Sequence, residues 1–452
     1  MDIYHAVRSP GYLKLLLIAA LLGAPISLLA LVFIQLVHLG ENFLWHDIPH
    51  WLGADRPPWW LLLLIPTLAG VLVALVRKLP GDGGHHPLGA MGPGGTPLVH
   101  VPSILLAALF SLSAGIVLGP EAPLIALGTG VAGAVGILVA RGNTNGILIL
   151  TLAGGFGAIA AIFGNPLAAA ILLIESIGIG GPMLVTVMLP GLLSAGIGYL
   201  VFTGVGEWTG IHAPSLTIPI LPPGGRPTWA DMGWAIVVGV GCAVLMVLIR
   251  RCSGWVQSVG KGQSYFLAIP AVGFVVGLCA IAYSLLTGAD PVDVLFSGQT
   301  QVGTLGAEAT TLALGTLALL VVFKGIAYGV SLGSGFRGGP IFPALFLGAA
   351  LGLIAGRLLP GMSPLAGFAA GMAAATAAQM RLPLSALVIV TLLCGTQGLQ
   401  VLPIVIMAVV IGVVVRGLLD TEPPPALSES SEGPPSGSTD GTANGSPTPA
   451  TA

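Results

Sequence analysis

Charge is the property that this sequence has least of. Of its 452 residues, 15 are Lys or Arg and 17 are Asp or Glu, so charged residues make up 7% of the chain. Soluble domains carry about 25%. The two signs nearly balance, which leaves no basic surface large enough to bind a nucleic acid. Together with a hydrophobic share of 55%, this scarcity excludes a soluble protein and predicts one that uses the lipid bilayer as its solvent.

Cysteine and metal-ligating clusters are scarce as well. The four cysteines form no CxxC pair and lie mostly in apolar runs, where a free thiol behaves as a small hydrophobe. His85 and His86 are adjacent, with only Asp82 as a nearby acid. Adjacent histidines seldom share one ion, so we expect no metal site and no cofactor, and a pH-responsive loop near the inner mouth is the better interpretation of this pair.

Glycine and proline are abundant, with 68 and 36 residues, and in a membrane protein they indicate interrupted, closely packed helices. Apolar runs that can cross or enter a bilayer fill two stretches separated by a polar interval. We therefore predict a cytoplasmic N-terminal segment (1–10), a first membrane half (11–206), a polar connection (207–228), a second membrane half (229–420) and a disordered tail (421–452). The basic residues Arg8, Lys14, Arg77 and Lys78 place the N-terminus inside by the positive-inside rule.

The two halves carry an internal repeat. When residues 111–128 are laid over residues 331–348 without a gap, eight of the eighteen positions are identical, and these include Gly119 with Gly339 and Pro120 with Pro340. Interrupted segments at corresponding positions of two halves are typical of transporters whose site lies near the bilayer midplane. We expect an all-α polytopic membrane protein built as two inverted-topology halves with discontinuous and re-entrant helices.

Glu121 is the acid that stands out, because it lies in Gly119-Pro120-Glu121-Ala122-Pro123, directly before an apolar run. The free N–H groups and the macrodipole of a helix favour an anion at its amino end. Glu121 could therefore act as a tethered anion that occupies such a site and leaves it on protonation, or could simply cap a helix near the interface. The matching segment before Pro343 has no acid, so two facing helix ends could cradle one anion. Lys324 and Arg337 could raise the potential there, or could be snorkelling or interface charges.

These motifs resemble the CLC chloride channels and proton-coupled antiporters, and within them the bacterial ion-transport branch. The resemblance covers about residues 10–419. It rests on GPEAP at 119–123, on GSG with GGPIFP at 333–343, on NPLA at 165–168 followed by Glu175, and on the loop at 82–87. It implies a CLC-like fold and passage of a small anion, chloride first, through a channel or a weakly proton-coupled antiporter. It also implies a homodimer with one pathway per subunit in the plasma membrane.

Carried over position by position, the resemblance makes Glu121 the gating glutamate. It puts the anion-binding positions at Gly84, Gly119, Gly339, Ile341 and Phe342. Gly84 falls where the family has a coordinating serine, so a hydroxyl donor is missing, and Pro340 falls on an amide-donor position although proline has no N–H. We also expect no counterpart of the family's coordinating tyrosine after Leu419.

A proton path would run through Glu121, Ser176 and Glu175 on the same resemblance. Glu175 falls on the first residue of the family's acidic pair and Ser176 on the second. Because serine does not hold a proton as a carboxylate does, coupling to protons would be weak, and Glu175 could instead be a structural, paired glutamate.

Two other classes remain open from the residues alone. A secondary transporter of an organic solute would share the repeats, but few polar residues line the interrupted segments, which favours a small ion such as chloride, fluoride or nitrate. A membrane enzyme using His85, His86 or Glu121 as acid or base would need a second catalytic group at a defined spacing. No such group is visible in the sequence, so we do not expect an enzyme.

Overall fold

The computed structural model describes residues 8–84, 95–178, 181–209, 218–260 and 264–420, apart from the side chains of residue 182 and residues 205–209. The predicted disordered tail, the first seven residues and the His85-His86 pair lie outside the described residues. α-Helices dominate the described chain, and it contains no strand beyond one isolated bridge.

The helices follow the predicted apolar runs closely. The first half contains α1 (Pro10–Asn42), α2 (Trp59–Val76), α3 (Val101–Ser113), α4 (Glu121–Val139), α5 (Thr144–Phe163), α6 (Pro166–Ile177) and α7 (Pro182–Thr209). The second half contains α8 (Trp229–Gly260), α9 (Tyr265–Thr287), α10 (Gln301–Ala307), α11 (Leu314–Gly333), α12 (Ile341–Leu358), α13 (Pro364–Met380), α14 (Pro383–Leu393) and α15 (Gly398–Leu419). α1 continues through a π turn (Phe43–Asp47) and one further α turn (Ile48–Trp51), and 3₁₀ turns cover Leu98–His100, Pro291–Val294 and Gly395–Gln397.

Two details differ from the predicted boundaries. α7 ends at Thr209, inside the predicted connection of 207–228, because the polarity of a sequence locates a helix end only to within a few residues. The short α10 was not predicted, since seven residues (Gln301–Ala307) carry too little periodicity to stand out.

Ten helices within the described residues are long and apolar enough to cross a membrane, and the chain is a multi-span membrane protein. Three apolar helices are shorter than a crossing: Leu98–Ser113, Pro166–Ile177 and Pro383–Leu393. Leucines along α1 face outward, with Leu13, Leu17 and Leu21 exposed by 54%, 61% and 67%. Such exposure would be costly in water, but lipid is as apolar as leucine.

The break between α5 and α6 shows how the sequence interrupts its helices. Gly164 adopts the left-handed conformation (φ 56°) and ends α5. Asn165 then caps α6 by accepting the N–H groups of Leu167 and Ala168, and Pro166 occupies the first turn. A glycine stop, an asparagine cap and a proline start are strong local signals, so the predicted discontinuous helices are confirmed here.

The packing of the two halves repeats as their sequences do. In the first half, α4 packs on α5, and α1 packs on both α5 and α7. In the second half, α12 packs on α13, and α8 packs on both α13 and α15 in the same way. Helices at corresponding positions also meet each other, α2 with α9 and α6 with α14. A local two-fold relation between the halves produces both features, and the predicted two-half architecture is confirmed.

Glycines at corresponding positions permit this packing. A Cβ on Gly128 of α4 would lie 2.3 Å from the carbonyl oxygen of Gly154 of α5, and one on Gly348 of α12 would lie 2.2 Å from that of Gly371 of α13. Any side chain would force these helix pairs apart. The close approach holds α4 against α5 and α12 against α13.

Candidate functional site

The two interrupted segments meet at one antiparallel bridge. The N–H of Gly119 donates to the carbonyl of Gly339 at 2.7 Å, and the N–H of Gly339 donates to the carbonyl of Gly119 at 2.6 Å. α4 and α12 each begin two residues after their glycine, so the bridge brings two helix amino ends together. Because the chain directions are opposite at this bridge, the two halves are inverted relative to each other here.

The carboxylate of Glu121 joins the two helix ends. Glu121 is the first residue of α4 and only 1% exposed. Its Oε1 accepts the backbone N–H of Phe342, in the first turn of α12, at 3.0 Å. The N–H of Ile341 also interacts with this carboxylate. Glu121 thus occupies the amino end of the other half's helix, where the macrodipole and the free N–H groups favour a negative charge.

The second oxygen of this carboxylate, Oε2, is buried and has no hydrogen-bond partner among the described residues. A Cβ on Gly339 would lie 1.9 Å from it, and a Cβ on Gly119 would lie 2.2 Å from it. The two glycines of the bridge therefore leave just enough space for the carboxylate. A buried oxygen that lacks a donor is costly, so only one of the two carboxylate oxygens is satisfied in this position.

The five predicted anion-binding positions divide into two groups. The N–H groups of Ile341 and Phe342 do point to the site, where they meet Glu121. The N–H groups of Gly119 and Gly339 pair with the opposite glycine's carbonyl, and that of Gly84 donates to Gly81 at 2.7 Å. These three amides are engaged within the backbone, so Gly119 and Gly339 shape the space around Glu121 rather than supply donors, and the Cβ position of Gly84 faces Ile104 instead.

Phe163 of α5 and Tyr328 of α11 pack beside the start of α12. The ring of Phe342 stacks on that of Phe163 with centroids 5.7 Å apart. Tyr328 is fully buried, and its hydroxyl donates to the carbonyl of Pro340 at 2.8 Å. Sequence reasoning missed Tyr328. The available signal was a lone phenol in the apolar run of α11, twelve residues before the proline that it contacts.

A cluster of three charged residues lies at the start of the second interrupted segment. The side chain of Arg337 is 6% exposed, and its Nη2 donates to the carbonyl of Asp82 at 2.8 Å and lies 3.5 Å from the carboxylate of Asp82. Arg77 holds the same carboxylate by two hydrogen bonds of 2.8 Å. Arg337 is thus neither snorkelling nor exposed at an interface. The two guanidinium groups and the single carboxylate give the cluster a net positive charge.

Lys324 has a different environment. It is fully buried in α11, and its Nζ donates to the carbonyls of Asp293 and Leu295 and to Oε1 of Gln301. It also lies over the ring of Phe346, 4.5 Å from the centroid. All three N–H groups of the ammonium are engaged, so Lys324 fixes the turn before α10 rather than presenting a free charge to the Glu121 site.

Asp293, which lies outside the membrane-spanning helices, borders a cavity of about 50 Å³. Burial raises the pKa of this carboxyl from its ordinary value of 3.8 to about 6, with Asp290 adding to the increase and the Lys324 ammonium opposing it. The cavity is also lined by Tyr283, Gln301, Glu308 and Phe346.

Glu175 and Ser176, the two remaining residues of the predicted proton path, are bonded within the protein. The carboxylate of Glu175 accepts the N–H groups of Leu384 and Ser385 at 2.9 and 2.7 Å and the Ser385 hydroxyl at 2.6 Å. Glu175, near the end of α6, therefore caps the amino end of α14 in the other half. The hydroxyl of Ser176 donates to the carbonyl of Leu173 in its own helix. The structure gives Glu175 the structural role that the sequence left open, and the proton path itself stays a prediction.

Comparison with known proteins gives one family. Residues 84–417 match the model of the family described as voltage gated chloride channel. A curated protein of Escherichia coli (strain SMS-3-5 / SECEC), named "Putative ion-transport protein YfeO", is 30% identical over 365 residues, which cover 78% of this chain and 81% of that protein. Its namesake in Shigella flexneri has the same identity and coverage.

Solved structures share the fold at lower identity. A slow cyanobacterial Cl⁻/H⁺ antiporter matches with a TM-score of 0.74 and 19% identity, over 92% of this chain and 96% of the other. A eukaryotic CLC transporter matches with a TM-score of 0.72 and 20% identity, over 91% and 73%. A CLC-type fluoride/proton antiporter matches with a TM-score of 0.67 and 17% identity, over 90% and 96%.

Proposed function

The chain belongs to the voltage gated chloride channel family, and we propose that it passes a small inorganic anion, chloride first, along a path that Glu121 opens and closes. The observation that carries this proposal is the bond from the Phe342 N–H to Oε1 of Glu121 at 3.0 Å. The carboxylate of Glu121 thus accepts a hydrogen bond from a backbone N–H group that a free anion at this helix end would need.

The gating step follows from charge and hydrogen bonding. An anion that reaches the amino end of α12 competes with the Glu121 carboxylate for the same backbone N–H groups. Protonation removes the negative charge of Glu121 and with it most of the attraction to the helix end. The neutral side chain then leaves, and the anion takes its place beside Ile341 and Phe342. Flux should therefore rise as the pH falls.

We propose that coupling to protons is weak. A tightly coupled antiporter needs a second group that accepts a proton from the other side of the membrane. Glu175 accepts three hydrogen bonds as the cap of α14, and Ser176 cannot hold a proton as a carboxylate does. One structural neighbour is a Cl⁻/H⁺ antiporter, so proton movement is a quantity to measure directly.

Fluoride is the second candidate for the transported anion. Gly84 brings no hydroxyl to the site, and its amide is engaged with Gly81, so the donors that face Glu121 are backbone N–H groups. Another structural neighbour is a CLC-type fluoride/proton antiporter. Fluoride is the smallest halide and the strongest hydrogen-bond acceptor, which suits a narrow site built from amides.

We further propose that the protein works as a homodimer in the plasma membrane, with one pathway in each subunit, as membership of this family implies. Cross-linking in native membranes, followed by the molecular mass of the detergent-solubilised species, tests this point. A monomer in both experiments would contradict it.

The test of the function is flux from liposomes loaded with chloride, fluoride or nitrate, with anion loss and pH recorded together. Wild type is compared with Glu121→Gln, which mimics the protonated side chain, and with Glu308→Gln, an exposed acid that serves as the matched control. We expect anion efflux from wild type and from Glu308→Gln to increase at low pH. Efflux from Glu121→Gln should not depend on pH.

The recorded pH separates the two transport modes. Protons that move in a fixed ratio to the anion, and stop doing so in Glu121→Gln, identify an antiporter. Anion efflux without protons identifies a channel or uniporter. No flux of any of the three anions in wild type and in Glu121→Gln would overturn the anion-pathway proposal and favour an organic solute.

A further inference from the structure

The start of α12 is held by a residue of another helix. The hydroxyl of Tyr328, on α11, donates to the carbonyl of Pro340 at 2.8 Å. The offset that overlays the two halves of the sequence places Ala108 where the second half has Tyr328, so the first half offers no hydroxyl at that position. The phenol therefore belongs to the helix end that receives the Glu121 carboxylate.

The Tyr328 hydroxyl and the Glu121 carboxylate contact opposite ends of one peptide group. The carbonyl of Pro340 and the N–H of Ile341 belong to the same planar trans unit, in which they point in opposite directions. The carbonyl accepts the bond from Tyr328, and the N–H interacts with Glu121. The charge of Glu121 also acts on the Tyr328 hydroxyl. The phenol, the peptide group and the carboxylate thus form one continuous chain of polar contacts.

A chain of this kind strengthens the donor at its end. A hydroxyl that bonds to a peptide carbonyl draws electron density toward the oxygen, which leaves the N–H of the same peptide group more positive. The bond also fixes the plane of the peptide group and hence the direction of its N–H. The amide of Ile341 is therefore a stronger donor than an isolated amide, both for the Glu121 carboxylate and for an anion that replaces it.

Tyr328 is itself held in place by its surroundings. Its side chain is fully buried. α11 packs closely on α8, because a Cβ on Gly333 would lie 2.3 Å from the carbonyl oxygen of Ser253. One turn before Tyr328 on the same helix, Lys324 makes three hydrogen bonds. The phenol is therefore a fixed point against which the start of α12 is held.

We propose that Tyr328 is a positioning residue of the anion pathway. By holding the carbonyl of Pro340 it aims and polarises the N–H of Ile341, and so sets how strongly this helix end binds an anion. The inference rests on the proposed function. A polarised N–H gains most with the strongest hydrogen-bond acceptor, so the hydroxyl contributes most to the binding of fluoride and least to that of nitrate, whose charge is spread over three oxygens.

The test combines two flux measurements in liposomes. The anion concentration that half-saturates flux is measured for fluoride, chloride and nitrate in the Glu121→Gln background, where no carboxylate competes. The pH of half-maximal flux is measured with Glu121 present. Tyr328→Phe removes the hydroxyl and keeps the ring. Tyr283→Phe is the matched control, because Tyr283 is also buried, at 1% exposure, but lines the cavity beside Asp293.

We expect Tyr328→Phe to raise the half-saturating concentration about threefold to tenfold, most for fluoride, because the N–H of Ile341 becomes a weaker donor. The pH of half-maximal flux should rise by about 0.5 to 1, which is the same factor expressed as proton activity, since a weaker donor holds the Glu121 carboxylate less strongly. Tyr283→Phe should change neither quantity. Equal changes in both variants, or no change in a folded Tyr328→Phe protein, overturn the inference.

Two further measurements cover a Tyr328→Phe protein that carries no flux or does not fold. For a folded protein, fluoride should raise the unfolding temperature in detergent less than it does in Tyr283→Phe, because a ligand that binds the folded state stabilises it. An equal increase overturns the inference.

The second measurement strengthens the donor instead of removing it. 3-Fluorotyrosine at position 328 keeps the ring but has a more acidic hydroxyl, which is a stronger donor, and should lower the half-saturating concentration in the Glu121→Gln background. A purely structural role predicts no such decrease, so an unchanged or higher value overturns the inference. Absence of flux in both wild type and Glu121→Gln contradicts the proposed function instead.

Discussion

Gly339 lies so close to Glu121 that a methyl group on it would overlap the carboxylate. The Cβ position of Gly339 is 1.9 Å from Oε2 of Glu121, and the two residues belong to opposite halves of the chain. A glycine at this place is therefore a condition for the position that the Glu121 carboxylate occupies.

Gly339→Ala should open the gate. The atom that it overlaps is the far end of a flexible side chain, which can move, whereas the bridged backbone cannot. We expect anion flux at neutral pH to increase about tenfold, which corresponds to about 1.4 kcal/mol lost from the closed position, and its pH dependence to flatten. Liposome flux between pH 5 and pH 8 measures this.

Gly338→Ala is the matched control for that experiment. Its Cβ would lie 2.6 Å from Cβ of Leu118 and away from Glu121, so it should lower thermal stability without raising flux at neutral pH. If both alanine variants behave alike, the effect comes from general loosening of the segment, and the link between Gly339 and the gate is wrong.

Glu175→Gln should weaken the protein without uncoupling it. The carboxylate caps α14 through three donors, and the amide nitrogen of glutamine cannot accept any of them. We expect a loss of about 1–3 kcal/mol of stability, seen as a lower unfolding temperature in detergent. Ser385→Ala, which removes one of the three donors, should cost less. A variant of normal stability whose proton movement is abolished would instead place Glu175 on the proton path.

Asp293→Asn should stabilise the protein at neutral pH but not in acid. The pKa of Asp293 is raised from 3.8 to about 6, so the folded state binds the proton more tightly than the unfolded state does. Wild-type stability therefore falls as pH rises from about 4 to above 6, and asparagine removes this loss. Unfolding temperatures of both proteins from pH 4 to pH 8 should diverge with rising pH. Parallel curves would contradict the assignment.

Lys324→Met should be strongly destabilising. It would leave the carbonyls of Asp293 and Leu295 and the side-chain oxygen of Gln301 without their donor. A buried acceptor left without its donor costs about 1–3 kcal/mol, and three acceptors are affected here. Gln301→Ala, which removes one of the three acceptors, should cost less in the same thermal unfolding experiment. A stable Lys324→Met protein would show that the ammonium is not needed to hold the turn before α10.

The helix boundaries were predictable because their signals are local. Apolar runs, the Asn165-Pro166 cap and the glycine-proline pairs each act within a few residues, and the repeat adds a second, independent copy of the pattern. The same local logic located Glu121 at the start of α4. The family resemblance, by contrast, led us to expect anion-binding positions at Gly84, Gly119 and Gly339, where the structure has amides that are engaged with other backbone groups.

Other features had no local signal. Nothing in the sequence around Glu175 indicates that it caps a helix more than 200 residues further along the chain, and Tyr328 resembles any other aromatic residue of a membrane helix. Lys324 and Arg337 look alike in sequence as isolated cations near one motif. Only their surroundings separate a fully bonded ammonium from a guanidinium whose Nε has no partner among the described residues.

The sequence by itself determined that this protein lies in a membrane, that it has two related halves, and that an acid begins a helix next to a Gly-Pro turn. Composition, repetition and helix-start chemistry are properties of short segments, so they can be read without a fold. The tertiary structure alone decided that the carboxylate of Glu121 bonds to Phe342, 221 residues away. It also decided that the amides of Gly119 and Gly339 pair with each other's carbonyls, because a hydrogen-bond partner is fixed by the packing of distant segments and not by the residues beside it.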